Sequence, residues 1–121
     1  MQTETMRSVW TRYVNGWMNV RAEERQRILQ ESVAPSCVYV DPGGQDQGHA
    51  GLTGRMEQFQ RTFPKATIEI EKFAGHHNYA LIHWRALDAS GVVLLPGVDA
   101  VSFNEDGLLS QITVWPETTS R

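Results

Sequence analysis

The chain of 121 residues has a net charge of −3 and is 40% apolar and 21% charged, which is typical of one ordinary soluble globular domain. This acidic balance argues against a nucleic-acid or anionic-membrane partner, and no apolar run is long enough to cross a membrane. Cys37 is the one cysteine, so no internal disulfide can form. With no apolar leader at the N-terminus, we expect a single cytoplasmic domain over residues 1–121.

Three helices are predicted in the first half of the chain. The first covers MRSVWTRYVNGWMNV, whose apolar residues recur at helical spacing: Val9, Trp10, Tyr13, Val14, Trp17 and Met18. The second covers AEERQRILQESV and ends at Pro35, and the third runs from about His49 to Thr62. Between them, residues 37–41 (CVYVD) predict a strand and Pro42-Gly43-Gly44 a loop.

The second half predicts strands in ATIEIEKFAG, NYALIHWRALD, VVLLPGVDAVSF and LLSQITVW. The short segments ASG and NEDG between them are typical of hairpin turns. Pro96-Gly97 predicts a bulge or bend within the third of these strands. Helices followed by consecutive antiparallel strands indicate an α+β fold, in which the helices cover one face of a curved sheet and enclose a pocket.

Three polar residues interrupt apolar patterns and are candidates for chemistry. Asp41 is the last residue of its strand, where it can start a turn or act as a base at the rim of a pocket. Asp99 lies mid-strand on the same face as Gly97, Val101 and Phe103, so it is either a buried carboxyl with a raised pKa or, in the opposite orientation, a solvated one. Tyr13 lies on the apolar stripe of the first helix, where it is either a core aromatic or a hydroxyl donor.

The segments TRYVNGW, CVYVDPGG and GVDAVSFNEDGLL resemble the NTF2-like superfamily, in particular its SnoaL-like and ketosteroid-isomerase-like members. The resemblance extends over residues 6–116. It implies an NTF2-like (cystatin-like) cone of three N-terminal helices on a strongly curved, mixed but mainly antiparallel sheet that encloses a pocket. The superfamily is functionally broad, so the fold alone does not define a substrate.

The isomerases of this superfamily use an aspartate base with a tyrosine and a protonated aspartic acid that bind the oxyanion. By resemblance, the base falls on Asp41, the oxyanion acid on Asp99 and the oxyanion tyrosine on Tyr13. Two departures weigh against a steroid-type reaction: Met56 stands near the position of a supporting tyrosine, and the segment between Tyr13 and Asp41 is a few residues longer.

The expected ligand is therefore a small apolar carbonyl compound, bound in a pocket lined by Trp17, Met56, Phe59, Trp84, Val101 and Trp115. Isomerisation or aldol-type cyclisation would use the same residues and would need no cofactor. The four histidines lack the spacing of metal ligands, so no metal site is expected. A strand face that three helices cannot cover predicts a homodimer through the sheet.

Other functions remain open at this stage. The domain could bind a ligand or a partner without catalysis, with Asp41 and Asp99 in structural roles. It could also be the small subunit of a larger oxygenase, which would require a partner chain. Epoxide-hydrolase-like and dehydratase-like sites are less favoured, because the first needs an Asp-Arg-Asp set and the second needs histidines in the cavity. The orientation of Asp99 distinguishes the enzyme from the binding domain.

Overall fold

The computed structural model describes residues 1–117 and contains three α-helices and six strands in that range. In chain order the elements are α1 (Thr3–Val14), a 3-10 turn (Asn15–Trp17), α2 (Ala22–Ser32), β1 (Val33–Asp41), β2 (Gly44–Gln47), α3 (Gly48–Thr62), β3 (Thr67–His76), β4 (Tyr79–Leu87), β5 (Val93–Phe103) and β6 (Leu109–Pro116). The predicted α+β order of helices before hairpin strands is confirmed.

The six strands form one curved sheet in the order β2-β1-β6-β5-β4-β3. β1 and β6 run parallel, and every other neighbouring pair is antiparallel. α1 contacts β3, while α2 and α3 contact β1, so the helices cover one face of the sheet. This is the mixed, mainly antiparallel NTF2-like arrangement that the resemblance implied.

The helical stripe of the N-terminal segment is interrupted earlier than its periodicity predicts. α1 ends at Val14, and a 3-10 turn continues to Trp17. The buried guanidinium of Arg25 on α2 stabilises this turn, because its Nε donates to the carbonyl of Gly16 at 2.9 Å and its Nη2 to that of Met18 at 3.1 Å. These two bonds satisfy carbonyl groups that a helix end leaves without partners.

Three strand predictions need correction. β1 begins at Val33, before Pro35 rather than after it. Pairing with β6 is irregular between Val33 and Val38, so the missing N–H of proline costs no ladder bond. The glycine-rich loop contains a short strand, β2, after a tight turn at residues 42–43. The register shift of β5 against β4 lies between Val93 and Leu95, just before Pro96-Gly97, which themselves pair regularly.

The core lies between the helices and the concave face of the sheet. Its largest fully buried side chains are Trp10, Tyr13, Phe103, Met6, Leu29, Leu52, Met56, Ile82, Leu109 and Ile112. Because side chains alternate along a strand, the residues between the inward-facing ones of β4 and β6 point to the opposite, convex face. Leu81 and Trp115 are accordingly exposed there.

None of the helices in residues 1–117 combines the length and the apolar character that a membrane span requires.

Candidate active site

A cavity of about 660 Å³ lies between α1, α3 and the concave face of the sheet. It reaches the surface beside the exposed α3 residues Gly54, Gln58 and Thr62. Its lining is mainly apolar and aromatic and comprises Trp10, Tyr13, Val14, Trp17, Tyr39, Asp41, Asp46, Ala50, Gly51, Gly54, Arg55, Gln58, Phe59, Thr62, Phe63, Ile68, Trp84, Leu95, Asp99, Val114 and Pro116. Cavities of this size and composition are typical of small-molecule sites.

Asp99 forms the buried polar point of the cavity. On β5 it pairs with Ile82 of β4 and Val114 of β6, and its side chain points inward as theirs do. Its exposed fraction is 4%. Its Oδ1 accepts a hydrogen bond from the Trp84 indole N–H at 2.8 Å, and its Oδ2 accepts one from Trp10 at 3.1 Å. Both oxygens therefore act as acceptors, which favours the ionised carboxylate.

Burial raises the pKa of Asp99 to about 6, and the two indole hydrogen bonds offset part of this rise. At neutral pH most of the population is therefore a carboxylate. The resemblance implies a protonated oxyanion acid at this position, which would require a pKa raised further than this. A pKa near neutrality suits a group that accepts and returns a proton.

The indole of Trp84 can reach Asp99 because it lies directly against Gly97 of the neighbouring strand. The two residues are paired across β4 and β5. A Cβ atom at Gly97 would lie 2.3 Å from Cζ2 of the Trp84 ring, closer than any real contact. Gly97 therefore provides the space that places the indole N–H on the carboxylate.

Asp41 lies at the end of β1 and lines the cavity, but it is part of an ion-pair cluster. Nη1 of Arg55 is 2.6 Å from both Asp41 oxygens, and Nε of Arg55 donates to Asp46 at 2.5 Å. The Tyr39 hydroxyl donates to Asp41 at 3.1 Å, and the backbone N–H of Gly43 donates at 2.8 Å. Asp41 thus starts the turn at residues 42–43 and also lines the cavity.

The cluster is held together by opposite charges on three elements. The hydrogen bond to Asp46 raises the pKa of the Arg55 guanidinium further, and Asp41 adds to this rise. The guanidinium also lies over the Tyr39 ring, with its carbon 5.2 Å from the ring centroid. The oxygens of Asp41 thus accept from a guanidinium, a phenol and a backbone N–H, whereas those of Asp99 accept only from two neutral indoles.

Tyr13 lines the same cavity from α1 and is 1% exposed. Burial, followed by the charge of Asp99, raises its pKa well above the ordinary value. The phenol therefore stays protonated and is a hydrogen-bond donor. Within the described residues the side-chain donors to Asp99 are the two indoles, and Tyr13 lines the same cavity beside it.

The predicted pocket residues divide into two groups. Trp17, Phe59 and Trp84 line the cavity. Met56 and Val101 are buried in the core without reaching the cavity lining, and Trp115 is 53% exposed.

Each of these corrections has a local cause. Met56 packs against the 3-10 turn. A Cβ atom built at Gly16 would lie only 2.9 Å from the Cε atom of Met56. Val101 pairs with Ala80 and Ile112, two residues further along β5 than Asp99. The side chain of Trp115 points away from the cavity because its neighbour Val114 points into it.

Four polar or aromatic contributors were missed from the sequence: Trp10, Tyr39, Asp46 and Arg55. Local signals for some of them exist. Tyr39 is two residues before Asp41 and shares its strand face, and Arg55 is four residues before Phe59 and shares its helix face. Asp46 lies on β2, which was read as a loop.

None of the four histidines, all of which lie within residues 1–117, lines the cavity. Among residues 1–117, no three His, Cys, Asp or Glu side chains are grouped as metal ligands would be. The Nε2 atom of His49 is 2.8 Å from the carbonyl oxygen of Val33, and His76 and His77 lie exposed at the β3–β4 turn.

A profile of the SnoaL-like domain matches residues 10–112, which is most of the chain. The protein therefore belongs to the SnoaL-like domain family. No curated protein sequence matches it at a significant level.

Solved structures support the same fold. A proposed isomerase of the SnoaL-like family from Agrobacterium tumefaciens superposes with a TM-score of 0.87 at 23% identity, over 95% of this chain and 99% of that one. A proposed SnoaL-like polyketide cyclase from Jannaschia gives 0.79 at 12% identity, over 95% and 87%. A cystatin-like protein of unknown function from Methylobium petroleophilum gives 0.79 at 19% identity, over 100% and 81%. At these identities the similarity shows the fold and not the reaction.

Proposed function

We propose that the protein is an isomerase- or cyclase-type enzyme that moves a proton on a carbon next to the carbonyl group of an apolar ligand. Asp99 acts as the proton acceptor and donor, and the hydroxyl of Tyr13 donates a hydrogen bond to the carbonyl oxygen. The observation that carries the proposal is a 4% exposed carboxylate in the wall of a largely aromatic cavity of about 660 Å³. The reaction uses only side chains of the chain itself.

The chemistry follows from the surroundings of the two groups. Asp99 takes the proton, the electrons of the C–H bond move into the carbonyl group, and the enolate oxygen receives a hydrogen bond from Tyr13. Return of the proton to another carbon completes an isomerisation, whereas attack of the enolate carbon on a second carbonyl gives a cyclisation. The indole bonds of Trp10 and Trp84 leave each Asp99 oxygen a further lone pair for the ligand.

The roles differ from those implied by the sequence resemblance, in which Asp41 is the base. Arg55 holds both oxygens of Asp41 at 2.6 Å, so the Asp41 carboxylate is already paired with a cation, whereas the described lining offers Asp99 none. We propose that Asp41 and Arg55 shape the polar side of the cavity. The proposed isomerase and polyketide cyclase among the structural neighbours are consistent with carbonyl chemistry on this fold.

The proposal is tested by hydrogen–deuterium exchange at the carbon beside the carbonyl of 2-tetralone, followed by proton NMR in D₂O. We expect wild type to accelerate exchange, with a rate that rises with pH through the Asp99 pKa of about 6. Asp99→Asn should lower the rate by about 10²-fold or more, as expected when a general base is lost. Asp106→Asn, which removes an exposed carboxylate in the β5–β6 turn, is the matched control. Exchange that is equally fast in the Asp99→Asn variant would exclude Asp99 as the base.

A second candidate is a binding domain without catalysis, and one observation favours it. Asp99 joins Trp10 of α1 to Trp84 of β4 through its two indole bonds, so it also ties a helix to the sheet. In that case 2-tetralone would bind in the cavity, and no exchange above the buffer rate would occur.

We also propose that the protein forms a homodimer through the convex face of the sheet. Leu81 and Trp115 are exposed on this face at 43% and 53%, and burying such apolar area is a common cause of self-association. Light scattering after size exclusion should give twice the mass of one chain, and Trp115→Lys should shift the population to the monomer. Val92→Lys, which changes an exposed apolar residue in the β4–β5 turn, should leave the mass unchanged. A wild-type monomer at all concentrations would reject the dimer.

A further inference from the structure

The charges that line the cavity do not balance. Among the described lining residues there are three carboxylates (Asp41, Asp46 and Asp99) and one guanidinium (Arg55). Arg55 is shared between Asp41 and Asp46, to which it is bonded at 2.6 Å and 2.5 Å. Asp99 is therefore a buried carboxylate for which the described lining provides no cation.

The partners of Asp99 are polar but neutral. Its two hydrogen bonds come from indole N–H groups. The titratable groups that face it are Tyr13 from α1 and Tyr39 from β1, and burial raises the pKa of both phenols, so they stay uncharged. β4 and β6 present Trp84 and Val114 to it. A buried charge without an opposite charge is costly, and a cation brought in by a ligand would remove that cost.

The walls around this carboxylate are suited to a cation. Trp10 and Trp84 donate to different oxygens of Asp99, and with Tyr13, Trp17 and Tyr39 they form an aromatic lining. The ring faces of tryptophan and tyrosine carry partial negative charge and attract ammonium groups, more strongly where water is excluded. An anionic ligand would instead meet like charges in an apolar environment.

We infer that the natural ligand is an apolar ring compound with a positively charged nitrogen, which pairs with Asp99 within the aromatic cavity. The inference concerns the charge of the ligand in the cavity and does not require the proposed proton transfer. The two proposals are compatible. When the C–H group lies beside both the carbonyl and the cationic nitrogen, its proton passes to Asp99 and its electron pair moves into the carbonyl group. The carboxylate becomes neutral, and the cation balances the charge of the enolate.

The test compares three ligands with one ring system by isothermal titration calorimetry: 2-aminotetralin, which is protonated at neutral pH, 2-tetralol, and tetralin-2-carboxylate. We expect the amine to bind at least about tenfold more tightly than the alcohol, and the carboxylate more weakly than both. Asp99→Asn should remove the preference for the amine, whereas Asp106→Asn should retain it. Equal affinities for amine and alcohol, or a preference that survives Asp99→Asn, would overturn the inference.

A second readout avoids dependence on the folding of the variant. 2-Aminotetralin stays protonated between about pH 5 and about pH 7.5. A change with pH in its affinity relative to 2-tetralol therefore reports the ionisation of groups in the cavity. In wild type the advantage should decline towards about pH 5, where Asp99 takes up a proton. A constant advantage over this range would contradict pairing with Asp99. Exchange of 2-tetralone without any amine preference would reject this inference and leave the proposed function standing. A preference for the amine without exchange of 2-tetralone would support this inference and reject the proposed function.

Discussion

Replacing Gly97 with alanine is expected to lower the free energy of unfolding by about 3 kcal/mol, from overpacking together with the loss of a hydrogen bond to a buried carboxylate. The added Cβ would lie 2.3 Å from Cζ2 and 2.5 Å from Cη2 of the Trp84 ring, so the indole must move. Once it moves, its N–H can no longer donate to Asp99 at 2.8 Å. Urea unfolding followed by circular dichroism measures the first effect, and the NMR shift of the Trp84 indole proton measures the second.

Gly54→Ala is the matched control for this substitution. Gly54 lies within α3 at the mouth of the cavity, and nothing lies within 4 Å of a Cβ atom built there. Because alanine favours the helix over glycine, this variant should be more stable than wild type by about 0.5–1 kcal/mol. If Gly97→Ala is instead as stable as wild type, the close packing of Trp84 on β5 does not position the indole.

Much of the fold was predictable because it depends on local periodicity. Alternation along a strand places Asp99 and Val101 on one face, and both are indeed buried. The helical stripe likewise brought Tyr13 and Trp17 to the cavity. Trp115 does not line the cavity, because the same alternation puts its neighbour Val114 there.

The partners of the candidate residues were not predictable, because they come from distant parts of the chain. The bond between Trp10 and Asp99 joins residues 89 positions apart, and the pair of Arg55 and Asp41 depends on the packing of α3 against β1. Residue types at matching positions implied a base at Asp41 and a protonated acid at Asp99. The hydrogen-bond donors instead place Asp41 in an ion pair with Arg55 and bind Asp99 to two neutral indoles, and sequence patterns do not contain that information.

The ionisation of Asp99 should make the protein less stable at neutral pH than at mildly acidic pH, relative to an Asp99→Asn variant. Its pKa is about 6 in the folded protein against 3.8 ordinarily, so between these values the folded state binds more protons than the unfolded state. Stability contributed by this group is therefore fully present below about pH 3.8, falls as pH rises, and is lost above about pH 6. From about pH 7 to about pH 4 the expected gain is on the order of 2 kcal/mol, since one pKa unit corresponds to about 1.4 kcal/mol.

The measurement is the free energy of unfolding of wild type minus that of Asp99→Asn at several pH values, because the subtraction removes the contribution of all other carboxylates. These include Asp41, whose ion pair with Arg55 is present in both proteins. Trp84→Phe removes one of the two bonds that lower the pKa of Asp99, so in this variant the rise in stability should begin at a higher pH. If the difference in free energy of unfolding between wild type and Asp99→Asn does not change with pH, Asp99 titrates like a solvated aspartate. The proposal that Asp99 is the buried proton acceptor would then be rejected.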